Sequence, residues 1–374
     1  MVLTLPASGV ATDEALYDVR RIDATANTVT FAGAGADTID GAAAVGPLGH
    51  LTLRLPAGST VWRAGGLGGA TPAAAKAMLG VGPGYAFKNR LINGGMTIDQ
   101  RNNAAAQTFT AAAVLAYCVD RWYGYCTGAN VTGQQIAGSA PNLSVYRFTG
   151  AASVTAIGFG QRIERANCFD LAGTTAMLSV QLANSLLTTV AWAAYYATTN
   201  DTFGTLAAPT RTLIANGTFT VSATLATYSA QIAVPGAATT GIEIVLSVGA
   251  QVSGTWTIGA VQLEPGSMVT DFERLPPQVN LALCQRRAIR VETNTVQAKG
   301  YVASNGQSCE YAKFYFPVQM AAAPITPTVS WAGAQFNTPT FSYKTTQSIG
   351  WDVTGTGGTV YVYNSAAFIL DSEL

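Results

Sequence analysis

Alternation of apolar and polar residues at every second position constrains the fold of this chain more than any other feature. It recurs in residues 178–182, 219–225, 228–234 and 242–248. A period of two is typical of a β-strand with one buried face. Several such strands separated by turns predict antiparallel sheets that pack as a β-sandwich or jelly roll. No internal repeat of fixed period is visible, which argues against a solenoid.

Shifts in composition divide the chain into four parts, and the predicted fold class is all-β. Residues 1–68 predict a small N-terminal β-module, with clear alternation at 51–55. Residues 69–88 are rich in Gly, Ala and Pro and predict a linker. Residues 89–286 predict the central antiparallel jelly roll, and residues 287–374 predict a separate C-terminal β tip domain.

One stretch has a helical pattern. Residues 279–291 (VNLALCQRRAIRV) predict a short helix that leaves the sandwich. No segment approaches the roughly 18 uninterrupted apolar residues that a membrane span needs. The first residues have neither the basic nor the apolar region of a signal peptide. We therefore expect no membrane insertion.

Charge is scarce and balanced. The 20 basic and 20 acidic residues make up 11% of the chain, against about 25% in typical soluble domains. So low a value predicts that other copies of the chain cover much of the surface, as in an intertwined trimer. The alternative is a surface rich in Thr, Ser and Asn that stays soluble without charge. Because no basic run occurs, we do not expect nucleic-acid binding.

Residues that carry catalysis are few. The single histidine, His50, has no Ser or Cys partner motif, so a nucleophilic triad has no support. The five cysteines are scattered, and we interpret them as small buried hydrophobes, with a bridge between Cys118 and Cys126 as the alternative. Glycine clusters at 65–69 and 80–84 lack the Lys-Ser/Thr of a phosphate loop. We expect that the chain is not an enzyme.

Ordered motifs bracket the central segment. Those that open and close it are NRLINGGMTIDQR at 89–101, DRW at 120–122, VQLEPG at 261–266, TDFER at 270–274 and ALCQR at 282–286. Together they resemble the pattern of bacteriophage tail fibres and receptor-binding tail proteins. In that family they frame a jelly roll similar to a carbohydrate-binding module. One departure is Arg287, which stands where an aromatic residue commonly follows the last motif.

The resemblance implies a function in host attachment. Such a protein is a component of the phage tail, usually a homotrimer, that binds a glycan or another receptor on the bacterial surface without covalent chemistry. Three sites on one fibre raise avidity. The N-terminal module also looks like a recurrent phage tail module, so it would join other tail or baseplate proteins while the tip faces the host. Assembly would take place in the host cytoplasm.

Aromatic side chains are the candidates for receptor binding, because their flat apolar faces can stack on sugar rings. The candidates are Trp331, Phe336, Tyr343, Trp351, Tyr361 and Tyr363 in the tip domain, with Tyr123 and Tyr125 in the jelly roll. The alternative is that these rings belong to the core or to a trimer interface.

Jelly-roll modules similar to this one often hold a structural Ca²⁺ through carboxylate and carbonyl oxygens. Asp120, Glu264 and Asp271 are the candidate ligands, although no ligand loop stands out. No other cofactor is expected. Two other functions stay open: a purely structural tail or baseplate component, and an envelope polysaccharide depolymerase. The depolymerase would need a carboxylate pair, such as Glu264 with Asp271 or Glu273.

Overall fold

The computed structural model describes residues 87–374 continuously, and within residues 1–86 it describes the strands alone. Residues 310 and 311 are described by their backbone only. The chain divides into two compact units, Met1–Tyr85 and Ala86–Leu374. Among the described residues, no helix is both long enough and apolar enough to cross a membrane.

The strands of the first unit form two sheets, of order β1-β3-β5 and β2-β6-β7-β4. These strands are β1 (Val2–Thr4), β2 (Ala15–Arg20), β3 (Val29–Ala32), β4 (Thr38–Asp40), β5 (Ala44–Val45), β6 (His50–Leu55) and β7 (Val61–Gly65). The alternation at residues 51–55 lies in β6, as predicted. The predicted linker at 69–88 lies outside the described residues as far as residue 86.

A β-sandwich forms the larger part of the second unit. Its strands are β8 (Gln107–Phe109), β9 (Ala116–Tyr117), β10 (Tyr123–Thr127), β11 (Val131–Ala137), β12 (Ser144–Thr149), β13 (Ala156–Ile163), β14 (Thr175–Asn184), β15 (Thr189–Ala197), β16 (Arg211–Thr220), β17 (Ala226–Ala233), β18 (Ile242–Val248) and β19 (Thr255–Pro265). A short helix α1 (Arg165–Cys168) and a 3₁₀ turn (Phe169–Leu171) lie between β13 and β14.

These strands form two six-stranded antiparallel sheets. Sheet A has the order β16-β15-β18-β13-β10-β9, and sheet B has the order β17-β14-β19-β12-β11-β8. Most connections carry the chain from one sheet to the other, so neighbours within a sheet are mostly distant in sequence. This is a jelly roll. The antiparallel β-sandwich predicted from the alternation is confirmed.

The core between the sheets is rich in aromatic rings. Trp122 stacks on Phe159 with ring centroids 4.9 Å apart and 2° between the planes. Phe148 stacks on Trp256 at 5.5 Å. Four of the five cysteines are buried, Cys309 is half-buried, and all five are free thiols. Tyr146 of sheet B stacks on Phe159 of sheet A at 5.2 Å, and such contacts between rings of the two sheets fix the distance between them.

The two bracketing motifs lie side by side. The Arg90 N–H donates to the Leu263 carbonyl at 2.8 Å, and the Val261 N–H donates to the Gly94 carbonyl at 2.9 Å. The Asn89 side chain completes this pairing, because Nδ2 donates to the Val261 carbonyl and Oδ1 accepts from the Leu263 N–H, both at 3.0 Å. We call this pairing of residues 89–97 with residues 261–273 the clasp.

Polar side chains support the clasp from both sides. Glu273 accepts the N–H groups of Phe87 at 3.0 Å and Asn89 at 2.9 Å. Asn93 is 3% exposed, and its Nδ2 donates to the carbonyls of Ile98 and Asp120. The indole of Trp122 donates to the Asn93 carbonyl at 3.1 Å. The motifs therefore satisfy buried backbone groups where the ends of the sandwich sequence meet.

The predicted helix at 279–291 is shorter in the structure. Helix α2 spans Pro277–Gln285, and the chain then enters strand β20 (Ala288–Val291). The β-branched residues Ile289 and Val291 are buried, and they favour an extended backbone that pairs with another strand. The partner is Phe368–Asp371, far along the sequence, so the helical period could not reveal it.

Residues 288–374 form what we call the C-terminal lobe. Besides β20, its strands are β21 (Gln297–Val302), β22 (Ser308–Tyr315), β23 (Trp331–Ala334), β24 (Thr340–Lys344), β25 (Ser348–Thr354), β26 (Gly358–Asn364) and β27 (Phe368–Asp371). They pair as β20-β27, β21-β26-β23 and β22-β25-β24. Trp351, Val353 and Val360 lie in a hydrophobic core that is separate from the core of the sandwich.

Buried ion pairs join the lobe to the sandwich within the second unit. Arg121, which is 1% exposed, pairs with Glu373 of the lobe and lies 3.9 Å from Glu164. Arg287 donates to Glu164 at 2.7 Å. Removing one partner would leave a buried charge uncompensated, which costs about 3–5 kcal/mol.

The clasp predicts that Gly94 tolerates no side chain. A Cβ atom there would lie 2.0 Å from the Val261 carbonyl oxygen, a backbone atom that cannot move away alone. We expect Gly94→Ala to lower the free energy of unfolding of the second unit by about 2 kcal/mol or more. Urea unfolding followed by tryptophan fluorescence measures this change.

Gly236→Ala is the matched control for that measurement. A Cβ at Gly236 would meet nothing within 4 Å, so we expect unchanged or slightly raised stability. Equal stability of the two variants would contradict a structural function of the clasp.

Candidate functional site

The outward face of sheet A carries tyrosine rings that lie on glycines. Tyr125 of β10 pairs with Gly158 of β13, and Tyr123 pairs with Gly160. A Cβ at Gly158 would lie 2.1 Å from ring atoms of Tyr125, and one at Gly160 would lie 2.5 Å from the Tyr123 hydroxyl. The glycines therefore allow both rings to lie against the sheet.

Small side chains continue the sheet beyond the Tyr125 ring. In register across the strands, Gly158 is followed by Ser247 of β18 and Ala191 of β15. Three strand spacings of about 4.8 Å place the Tyr125 and Ala191 Cα atoms about 14 Å apart. A depression of about 520 Å³ lies here, lined by Tyr125, Ala156, Leu187, Thr188, Thr189, Ala191, Ser247, Val248 and Gly249. We call this face the groove.

A charged row crosses the same face of sheet A, four residues along β13 from Gly158. Glu243 of β18 is fully buried, and its Oε1 accepts from Arg162 Nε at 2.9 Å and from the Tyr123 hydroxyl at 2.7 Å. Its Oε2 accepts from Nη1 of Arg211, which is on β16. The Arg211 guanidinium lies 4.2 Å from the centroid of the Tyr195 ring, a cation–π contact.

The charges of this row act on the pKa of the Tyr125 phenol. Burial raises the pKa of the Tyr125 phenol, and the positive charge of Arg211 opposes that rise. The phenol therefore stays protonated at neutral pH and keeps a hydroxyl donor. Tyr125 and Tyr195 are both half-buried, so part of each ring remains open to solvent.

The end of the C-terminal lobe covers the opposite corner of this face. The Leu374 carbonyl oxygen accepts from the Tyr117 hydroxyl at 2.9 Å and from Arg162 Nη1 at 2.7 Å. Tyr123 is 0% exposed beneath these groups. The prediction that Tyr123 contacts a ligand therefore does not agree with its burial, whereas its neighbour Tyr125 lines the groove.

The predicted tip aromatics fall into two groups in the structure. Trp351 is 1% exposed in the core of the lobe, so its ring presents no face to a ligand. Trp331 and Phe336 pack against the same core and are half-buried. For these three residues the positions agree with the alternative that the rings belong to the core.

Three tyrosines of the set lie outside that core. Tyr361 is 37% exposed, and its ring centroid lies 5.4 Å from that of half-buried Tyr363. Tyr343 is half-buried, and its ring lies 2.5 Å from where a Cβ at Gly350 would stand. The Tyr361–Tyr363 pair thus remains a second aromatic surface, on β26.

The three predicted calcium ligands do not form one site. Asp120 is buried and accepts from the backbone N–H and side chain of Gln100. Glu264 accepts from the N–H and hydroxyl of Thr270 within the clasp, and Asp271 is exposed. Among the described residues, no group of three or more His, Cys, Asp or Glu side chains could hold a metal ion. Protein donors occupy the buried carboxylate oxygens instead.

Arg162, Tyr195, Arg211 and Glu243 were not predicted from the sequence as site residues. They come from β13, β15, β16 and β18, and only the pairing of these strands brings them together. One local signal existed: Tyr123-Gly-Tyr125 and Gly158-Phe-Gly160 are complementary patterns of large and small residues. A glycine inside a strand often marks close approach by another group, which would have directed attention to this face.

Comparison with known proteins gives similarities to solved structures only. No family model matches the chain, and no curated protein sequence matches it. The enzymatically active domain of bacteriophage CBA120 tailspike protein 4 is similar over 48% of this chain and 22% of that one, at 18% identity and a TM-score of 0.30. This chain therefore spans less than a quarter of the tailspike structure.

Two carbohydrate-binding modules give similar values. The C-terminal family 22 module of Xyn10B from Clostridium thermocellum is 11% identical over 43% of this chain and 99% of that one, with a TM-score of 0.29. The module TmCBM61 in complex with β-1,4-galactotriose is 12% identical over 48% of this chain and 99% of that one, with a TM-score of 0.30. At this level of similarity they assign no function to this chain.

Burial of Asp120 predicts a pH dependence of stability. Burial raises the pKa of this carboxyl from 3.8 to about 7, against the hydrogen bonds of Gln100 and the charge of Arg101. The folded state then binds the proton more tightly than the unfolded chain. The contribution of Asp120 is fully present below about pH 4 and is lost as pH rises through about 7.

We therefore expect the melting temperature of the second unit to fall between about pH 4 and pH 7 and to level off above that range. The charges of Arg287 and Arg121 outweigh the effect of burial and lower the pKa of Glu164. The contribution of Glu164 to stability is therefore lost only at lower pH, where its carboxylate takes up a proton. Asp120→Asn should flatten the profile, and the exposed control Asp271→Asn should retain the slope. A slope that persists in Asp120→Asn would refute this origin.

Proposed function

We propose that this chain is a non-catalytic adhesin of a bacteriophage tail, and that the groove of sheet A binds a saccharide of the bacterial surface. The observation that carries the proposal is the arrangement of the groove. A half-buried tyrosine ring lies against a glycine, and beside it lies a depression that is floored by Ser247 and Ala191.

The physical fit to a saccharide has two parts. A sugar ring has apolar C–H faces and a rim of hydroxyls, so it needs a flat apolar surface and convergent polar groups. The half-buried ring of Tyr125 supplies the surface, and Thr188, Thr189 and Ser247 supply hydroxyls along the lining. The volume of about 520 Å³ lies within the usual range of ligand sites, about 300–1,000 Å³.

Attachment to a virion is proposed from the bracketing motifs, which resemble those of receptor-binding tail proteins. In the structure these motifs build the clasp, so they support the class of protein and not the contacts with the receptor. The N-terminal module would join tail or baseplate proteins, and a homotrimer would present three grooves. Several weak sites on one particle raise avidity without a single tight contact.

Tyrosine replacement tests the groove directly. We expect Tyr125→Ala to weaken binding to bacterial cells about tenfold, since loss of an aromatic ring that stacks on a nucleic-acid base costs about 1–3 kcal/mol. Binding is measured with the fluorescently labelled full chain, and light scattering on the same sample gives its mass. Tyr301→Ala is the matched control, because Tyr301 is 73% exposed on β21 of the lobe.

The outcomes of this experiment separate the alternatives. A wild-type chain that labels no strain would overturn adhesion and favour a structural tail component. Release of sugars from the envelope would instead favour a depolymerase. Loss of binding in Tyr301→Ala or Tyr361→Ala, with normal binding in Tyr125→Ala, would move the receptor site to the lobe.

The position of the Tyr125 ring depends on Gly158. We expect Gly158→Ala to displace the ring, because the new Cβ would stand 2.1 Å from it. Cell binding should fall about as far as in Tyr125→Ala, while far-ultraviolet circular dichroism stays unchanged, since a displaced surface ring leaves the sheet intact. Unaltered binding in Gly158→Ala would contradict the groove as the site.

A further inference from the structure

We propose that the groove selects saccharides that carry a carboxylate, and that Arg211 is the residue that binds it. This inference rests on the proposed function of the groove. It assigns the chemical class of the ligand and the residue that determines specificity, and it follows from the way three strands share one buried carboxylate.

Glu243 is fully used by protein donors. It accepts from Arg162 and Tyr123 on one oxygen and from Arg211 on the other, and it is 0% exposed. One negative charge thus serves two guanidinium groups. Arg162 has two further acceptors, the carbonyls of Gly204 and Leu374, both at 2.7 Å.

Arg211 differs from Arg162 in this respect. Within residues 87–374, its side chain donates to Glu243 through Nη1 and makes no other hydrogen bond that the structure records. A guanidinium has five N–H donors, and the edge formed by Nε and Nη2 matches the two oxygens of a carboxylate. The Arg211 side chain is 14% exposed, so part of it is open to solvent.

Two contacts hold Arg211 in place before a ligand binds. Its guanidinium stacks on the Tyr195 ring, and its ion pair with Glu243 draws it across β15 toward the middle of sheet A. Less side-chain entropy is then lost when a carboxylate binds, which favours affinity. An arginine that is oriented in this way recognises a planar acid better than a lysine does.

The opposite wall of the groove suits the rest of such a sugar. The Tyr123 ring covers Gly160, whereas the small side chains of Ala191 and Ala193 leave a low floor along β15 as far as Tyr195. A sugar ring stacked on Tyr125 would direct its acid group toward Arg211. The positive charge of Arg211 acts on the pKa of the Tyr125 phenol in the direction opposite to burial.

The test uses surface polysaccharide from a strain that the full chain labels, before and after chemical reduction of its carboxylates to alcohols. We expect reduction to weaken binding about tenfold or more, as loss of a charge-assisted bidentate contact does. Equal binding of both preparations would overturn carboxylate selection and leave glycan binding intact. Absence of binding to the untreated polysaccharide would overturn the proposed function together with this inference.

Protein variants locate the effect at Arg211. Arg211→Gln should bind the untreated polysaccharide as weakly as the wild type binds the reduced one, and it should not discriminate between them. Arg211→Lys should be intermediate. Arg147→Gln, on the exposed face of sheet B, removes the same charge elsewhere and should change neither preference. If Arg211→Gln still binds the untreated polysaccharide more tightly than the reduced one, another group binds the carboxylate.

Discussion

The side chain of Asn89 closes the sandwich, and the arrangement of the groove depends on that closure. One amide group bonds to the carbonyl of Val261 and the N–H of Leu263, about 170 residues further along the chain. Val261 and Leu263 lie in β19, the strand that pairs with both β12 and β14 in the middle of sheet B. Holding β19 in register fixes sheet B, against which the aromatic core and sheet A pack. The hydrogen bonds of the clasp thus hold together two segments that are far apart in the sequence.

Much of the fold could be predicted from the sequence, because the responsible forces act locally. Alternation at 219–225 or 242–248 reports a buried face without reference to any partner strand. The same local reasoning was wrong at 286–291. There the pattern was interpreted as helical, but β20 pairs with a strand some 80 residues away. Propensity could not anticipate that pairing.

The candidate site could be predicted only in part, for the same reason. Tyr125 was identified because it belongs to a cluster of aromatic residues that is visible in the sequence. Arg211 and Glu243 were not, since nothing in their neighbourhoods along the chain distinguishes them from other charged residues. They come together only because the strand order places β16, β15 and β18 side by side. Likewise, Trp351 is an aromatic residue of the kind that stacks on sugars, but its side chain is buried in the core of the lobe.

The strands β20 and β27 carry the chain into and out of the C-terminal lobe, and they are hydrogen-bonded neighbours. The intervening residues, 292–367, therefore begin and end at this pair of strands. Arg121, Glu373 and Arg287 fix the pair to the sandwich. Segments whose ends meet in this way tolerate insertion and replacement. The architecture thus allows the lobe to be exchanged for one of another size or shape while the sandwich, its clasp and its groove stay unaltered.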